Sequence, residues 1–200
     1  LDCPDITTTT NHFPTVNILT PANTLIPKET PFVLEGEGFD EDGDKLTFNF
    51  EGKDASTVLC ALGNPEGTCP QFRSVVPDTF TYRIFPSPND LLSGSNSKGE
   101  VLPKYSRDLK FVFTARDNNP EGGVASWKEF NIKADASAGP FRLISPNLGE
   151  NYSQGEIIDI TWEVANTDKA PFNTEFVDIY LSTKRALHPT NPNLLLLASR

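Results

Sequence analysis

Residues 108–117 read DLKFVFTARD. Leu109, Phe111, Phe113 and Ala115 alternate with Lys110, Val112, Thr114 and Arg116. Successive side chains of a strand point to opposite faces, so this period of two predicts a strand with one face in a core. The same rhythm recurs on both sides of it. In TPFVLEG (30–36), Phe32 and Leu34 alternate with Val33 and Glu35. In KLTFNFE (45–51), Leu46, Phe48 and Phe50 share a face opposite Thr47, Asn49 and Glu51. In KEFNIKA (128–134), Phe130, Ile132 and Ala134 do the same. Short alternating segments separated by turn residues predict an all-β chain built as β-sandwiches of immunoglobulin-like or fibronectin-like type. Seventeen prolines and thirteen glycines agree with short strands and turns rather than long helices.

The segments fall into two blocks. Residues 1–15, with four consecutive threonines, read as a linker. Residues 16–137 read as a first sandwich domain, with a long, less regular insertion over about 52–108. The small residues of ADASAGPF (134–141) place a boundary near residue 138. Residues 138–200 read as a second sandwich domain. Its clearest predicted strand is IIDITWEVAN, with Ile158, Ile160, Trp162 and Val164 on one face. FVDIYLST repeats the pattern with Val177, Ile179 and Leu181, and NLLLLASR supplies a last apolar run. Four strands fall short of a seven-strand sandwich, which needs roughly 100 residues. The expectation is therefore an incomplete second domain, with Leu194 to Leu197 as an apolar edge and the chain ending at Arg200 as a fragment of a longer protein.

Charge and cysteines narrow the setting. A formal net charge of −10 argues against a nucleic-acid partner, whose phosphates would be repelled. No apolar run approaches the roughly 18 residues that span a bilayer, so membrane insertion is not expected. Cys60 and Cys69 bracket the polar loop CALGNPEGTC, whose ends can meet in a disulfide; the alternative is a pair of reduced thiols. The bridge implies an oxidising compartment, hence a secreted or cell-surface protein. Cys3 is left over, either free or paired upstream.

Chemistry-bearing patterns are sparse. His12 and His188 lie in different blocks and read as exposed histidines. There is no HExxH zinc pattern, no GxSxG and no phosphate loop, so no catalytic residue is assigned. Phe80, Tyr82 and Phe85 read as cover for the core, with an apolar binding platform as the alternative. The feature with site character is FDEDGDKLTF (39–48), where Asp40, Asp42 and Asp44 alternate around Gly43. Calcium takes six to eight oxygens, often from aspartates so spaced. The spacing is not that of an EF-hand, and DGD between two strands is also a hairpin turn signal. A second cluster, ARDNNPEGG, offers Asp117 and Glu121, with Asn118 and Asn119 as carbonyl donors. The stretch is thus either a plain acidic turn or a structural calcium site formed by Asp40, Asp42 and Asp44 with Asp117.

TLIPKETPFVLEGEGFDEDGDKLTFNFE, FRSVVPDTFTYRIFP, LKFVFTARDNNPEGGVAS and AGPFRLISPNLGENYSQGEIIDITWEVANTDKAPFNTEFVDIYLST occur in that order over roughly residues 10–183. Together they resemble the region following the catalytic domain in secreted reprolysin-like zinc metallopeptidases of bacteria of the Bacteroidetes type. The DEDGD turn also looks like the acidic turn of cadherin-like bacterial adhesion modules. The resemblance implies immunoglobulin-like or fibronectin-like sandwiches behind a protease domain. The family's HExxHxxGxxH motif is absent, so zinc would belong only to a catalytic domain upstream of this chain. The implied role is a non-catalytic accessory region, a spacer or a module that binds a host protein, a substrate protein or a glycan. An adhesin-like binding module with no protease attached is the alternative.

Overall fold

The computed structural model describes residues 8–61, 63–147, 149–182, 187–188 and 194–199; the expectations for Cys3 and Arg200 lie outside these residues. The chain runs through β1 (Thr15–Ile18), β2 (Leu25–Pro27), β3 (Phe32–Phe39), β4 (Thr47–Gly52), β5 (Tyr82–Phe85) and the short helix α1 (Pro88–Ser93). It continues through β6 (Arg107–Arg116), β7 (Ala125–Asp135), β8 (Arg142–Ser145), β9 (Thr161–Glu163), β10 (Asp178–Ser182) and β11 (Leu194–Ser199). The chain is all-β, and its first seven strands build a sandwich of two sheets. One sheet has the order β2-β7-β6-β4 and the other β1-β3-β5. The first chain segment serves both sheets: β1 pairs antiparallel with β3, while β2 runs parallel beside β7.

The 108–117 stretch lies at the centre of the larger sheet, paired with β4 on one side and β7 on the other. Its alternate residues Leu109, Phe111, Phe113 and Ala115 are all buried, as are Phe48 and Phe50 of β4 and Phe130, Ile132 and Ala134 of β7. Leu34 and Phe85 meet them from the opposite sheet. The core is mainly aromatic. Phe50 and Phe113 stack with centroids 4.4 Å apart, and Phe32 stacks on Phe85 at 4.9 Å. Each buried phenylalanine contributes about 1.5–3 kcal/mol by leaving water, and each aromatic pair about 0.5–1.5 kcal/mol more. Removal of the rings from water therefore contributes more than their mutual stacking to holding the two sheets face to face.

Several expectations differ from the observed fold. The 52–108 segment is not a mere insertion between strands. It supplies β5, whose Phe85 is fully buried opposite Phe32, and it supplies Phe72, which packs edge-on against Phe85 at 4.8 Å. The strand is only four residues long and follows a proline-broken stretch, so its periodicity is too short to stand out. Phe85 joins the core while Phe80 remains half exposed, so the aromatic trio divides. Residues 11–15, read as linker, are fixed to the sandwich: Pro14 is fully buried and Thr15 begins β1. The expected boundary near 138 is packed too. Lys28 N donates to Ala138 O, Gly139 N donates to Ala165 O, and a Cβ on Gly139 would lie 2.2 Å from Lys28 O.

After that point the strands are short. IIDITWEVAN forms a strand only over Thr161–Glu163, paired with β8, and Ile157 is almost wholly exposed. Among the described residues β10 and β11 pair only with each other, with a register shift between Ile179 and Tyr180 that breaks the expected single face. Among the described residues, no apolar side chain beyond Ala138 is buried. Alternation specifies a strand only where an opposing layer rewards one face, and these segments have none among the described residues. His188, read as exposed, is buried: it stacks on Tyr82 with centroids 3.7 Å apart, and its Nε2 lies 3.0 Å from Glu35 Oε1. No helix among the described residues is long and apolar enough to cross a membrane.

Candidate metal site at one end of the sandwich

β4 and β6 are neighbours, with Thr47 opposite Arg116, so the loop before β4 and the loop after β6 emerge at the same end. The first loop carries Asp40, Asp42 and Asp44; the second carries Asp117. Asn118 binds them together: its Nδ2 donates to Lys45 O at 2.9 Å and to Thr47 Oγ1 at 3.1 Å. Its φ of 56° lies in the left-handed region that asparagine tolerates better than most residues. Asn119 adds a second tie. Its Oδ1 accepts from Glu121 N, which orients the amide, and its Nδ2 donates to Asp44 Oδ2 at 2.7 Å. Both asparagines therefore act as crosslinks between the loops.

Asp40 organises the first loop. Its Oδ1 accepts from Asp42 N at 3.0 Å and from Asp44 N at 3.1 Å, the local side-chain-to-backbone turn typical of aspartate. Gly43 completes the bend. Asp40, Asp42 and Asp44 each bring one carboxylate oxygen within 4.8 Å of the others. Asp40 is only 6% exposed, and its Oδ2 has no hydrogen-bond partner among the described residues. A buried carboxylate oxygen with no donor is costly in a protein interior, and a cation is one way to satisfy it. Asp117 stands outside the three-carboxylate group and is engaged by protein donors. Its Oδ1 accepts from Val124 N at 2.9 Å and Asn119 N at 3.3 Å, and its Oδ2 from Asn11 Nδ2 at 2.5 Å. Burial pushes this carboxyl up, but the hydrogen bonds from Asn11, Val124 and Asn119 outweigh it and hold the group below its ordinary value.

Sequence reasoning missed Asn11 and His12. Asn11 Nδ2 also donates to Gly122 O at 3.1 Å. His12 N donates to Asp42 Oδ2 at 2.7 Å, and its Nδ1 lies 3.0 Å from Asp42 Oδ1 and 3.3 Å from Glu41 Oε1. The bond to Asp42, aided by the charges of Glu41 and Asp42, raises the His12 pKa; the His12 backbone and side-chain bonds lower that of Asp42. These contacts span 30 residues for His12 and 106 for Asn11, so no local spacing announces them.

The ligand atoms that the three aspartates themselves offer are carboxylate oxygens, the kind that suits a hard divalent cation. Six to eight ligands at 2.3–2.6 Å are usual for calcium, so backbone carbonyls and water would complete the shell. Away from this end, Cys60 and Cys69 are joined in a disulfide, which fits an oxidising environment. No protein-family model, curated protein or solved structure matches the chain.

Proposed function

We propose that this chain is a non-catalytic β-sandwich region of an extracellular protein, stabilised at its acidic end by calcium, and that it serves as the accessory part of a secreted zinc metallopeptidase. The observation that carries the calcium assignment is Asp40 Oδ2, buried and unpartnered beside the carboxylates of Asp42 and Asp44. A second anchored loop, carrying Asp117, braces the group through Asn119 and so preorganises it before the ion arrives. The disulfide supports an extracellular setting. The protease context rests on the four segments that resemble, in order, the region behind a reprolysin-like catalytic domain. In that setting the sandwich spaces the catalytic domain or presents a surface to a substrate or host protein.

Calorimetric titration of calcium into the chelator-treated chain tests the ion. One-site binding that Asp40→Asn abolishes supports it, and no heat above dilution rejects it. The encoding gene tests the protease context. An HExxHxxGxxH stretch upstream of Leu1 supports it, and its absence there would leave the adhesin-like module as the better description.

A further inference from the structure

The outer face of the larger sheet carries a second site. β6 turns Leu109, Phe111, Phe113 and Ala115 into the core, so Val112, Thr114 and Arg116 look outward. Thr114 lies between Asn49 of β4 and Trp127 of β7, and Val112 lies between Glu51 and Glu129. Two rims rise above this floor. On the β7 side stands Trp127, 63% exposed. On the β4 side, Asn49 Nδ2 donates to Val75 O at 2.8 Å and so lays the segment at Ser74 and Val75 along the strand. Between the rims runs a shallow trough of about 530 Å³, with Ser74, Val112, Thr114, Arg116 and Trp127 in its lining.

Two of these side chains are uncommitted. Among the described residues the Arg116 guanidinium makes no hydrogen bond and no ion pair. Its Nη1 is closed off by protein, so an anion in the trough meets the guanidinium at Nε and Nη2. The Trp127 ring, among the same residues, stacks on no other ring and lies under no cation. The two are diagonal neighbours on one face, since Arg116 is opposite Ala125 while Thr114 is opposite Trp127. Diagonal neighbours lie roughly 7–8 Å apart, so one small ring can touch both.

The pair sets the chemistry of the occupant. A guanidinium without a partner favours an anion, and a carboxylate matches its planar fork. The face of an aromatic ring is itself electron-rich, so it takes C–H groups and turns the anion away. The occupant therefore needs a carboxylate beside a flat C–H surface. An acidic peptide gains little here, because β6 is hydrogen-bonded on both sides and the face has no open strand edge to extend. A uronic acid has both parts on one ring. Its carboxylate also escapes the acids of this face: Glu51 and Glu129 flank Val112, about 13 Å along the strand from Arg116, and Glu129 is paired with Lys53. Asp117, next in the chain, is buried and held by Asn11, Val124 and Asn119. At physiological salt more distant charge is screened beyond about 8 Å. We infer that this trough binds a uronate-bearing oligosaccharide, with the carboxylate on Arg116 and the C–H face of the same ring on Trp127. The site needs neither calcium nor a protease partner.

The test is an NMR titration of the isotope-labelled chain in chelator, which keeps calcium from bridging carboxylates at the acidic end. The probes are trigalacturonate and a hyaluronan tetrasaccharide, with maltotriose and chitotriose as neutral counterparts. A saturable shift of the Trp127 indole N–H with at least one acidic probe is expected, while the Trp162 indole stays in place. The neutral probes should bind at least fivefold more weakly. Trp127→Ala, at an exposed position, keeps the fold and weakens the binding roughly two- to tenfold, the loss of one ring contact. Arg116→Gln removes the preference for the acidic probes; should it fail to fold, the acidic and neutral probes on the wild type carry the charge test. Four results overturn the inference: no saturable shift with either acidic probe, equal affinity for acidic and neutral probes, unchanged affinity in Trp127→Ala, or saturation by triglutamate and by neither acidic oligosaccharide.

Discussion

Asn119 Nδ2 lies 2.7 Å from Asp44 Oδ2, a single hydrogen bond that joins the loop before β4 to the loop after β6. It holds Asp44 in place from outside its own loop, while Asp40 holds the turn from within through its Oδ1. None of these three bonds satisfies Asp40 Oδ2.

Calcium is expected to raise the melting temperature. An ion that binds only the folded state at a free concentration of 100 times its Kd adds about 2.7 kcal/mol. For a chain of this size that corresponds to a rise of roughly 5–11 °C. Asp40→Asn keeps an oxygen for the turn but loses the buried charge, so its melting temperature should be the same with calcium and with chelator. Scanning calorimetry of both proteins decides it, and an equal midpoint for the wild type in the two conditions rejects the site.

The sandwich core was legible because Phe111, Phe113 and their neighbours obey a strict period of two and the fold rewards it. β5 was not, because its four residues carry Arg83 between Tyr82 and Ile84, and nothing local tells that the guanidinium turns inward to Phe50 O and Glu100. IIDITWEVAN shows the opposite failure: strong alternation, but no opposing layer among the described residues to make it a long strand. At the acidic end, Asp40, Asp42 and Asp44 were visible from spacing alone. The roles of Asn11 and His12 were not, because loop-to-loop contacts across many residues leave no mark in local pattern. Asp117 was visible as an acidic residue, but not as one whose oxygens serve the second loop.

Reduction of the Cys60–Cys69 bridge is expected to lower stability by about 2–3 kcal/mol, the loop-closure entropy of a ten-residue ring. The loop is tied to the sandwich as well: Tyr105 Oη donates to Gly67 O at 3.1 Å, and Arg107 Nη1 donates to Cys69 O at 2.9 Å. Cys60→Ala with Cys69→Ala should therefore fold and melt about 4–12 °C lower. Thermal melts of the double variant measure this. A midpoint equal to the wild type would mean that the Tyr105 and Arg107 contacts alone close the loop.

Gly36 of β3 faces the core where the Phe113 ring passes. A Cβ placed there would lie 2.6 Å from Phe113 Cε1, closer than carbon atoms pack. Gly36→Ala should cost about 1–3 kcal/mol, because the ring stacked on Phe50 must move. Glu37→Ala, on the exposed face next to it, should change stability by about 0.5 kcal/mol or less. Urea denaturation of the two variants compares them, and equal costs would show that the core at Phe113 yields without strain.

Asp90 gives the chain a defined acid dependence. Its Oδ1 accepts from Ser97 Oγ at 2.7 Å and Ser95 Oγ at 2.9 Å, and its Oδ2 from Ser87 Oγ at 2.8 Å. The bond from Ser97 and those from Ser87 and Ser95 outweigh burial and hold the carboxyl below its ordinary 3.8. A group depressed on folding contributes its stability fully above the unfolded value and loses it as pH falls through the folded one. Glu100 works in the other direction. Burial raises its pKa above 4.5 against the pull of Arg83, so stability falls as pH rises from 4.5 through that raised value. The two carboxyls thus oppose each other, and Asp90→Asn isolates one of them. The stability lost in this variant should be constant near neutral pH and shrink as pH drops below 3.8. Urea denaturation of wild type and variant at a series of pH values measures the difference; a gap that stays constant into strong acid would mean that the serine hydroxyls do not favour the ionised carboxylate.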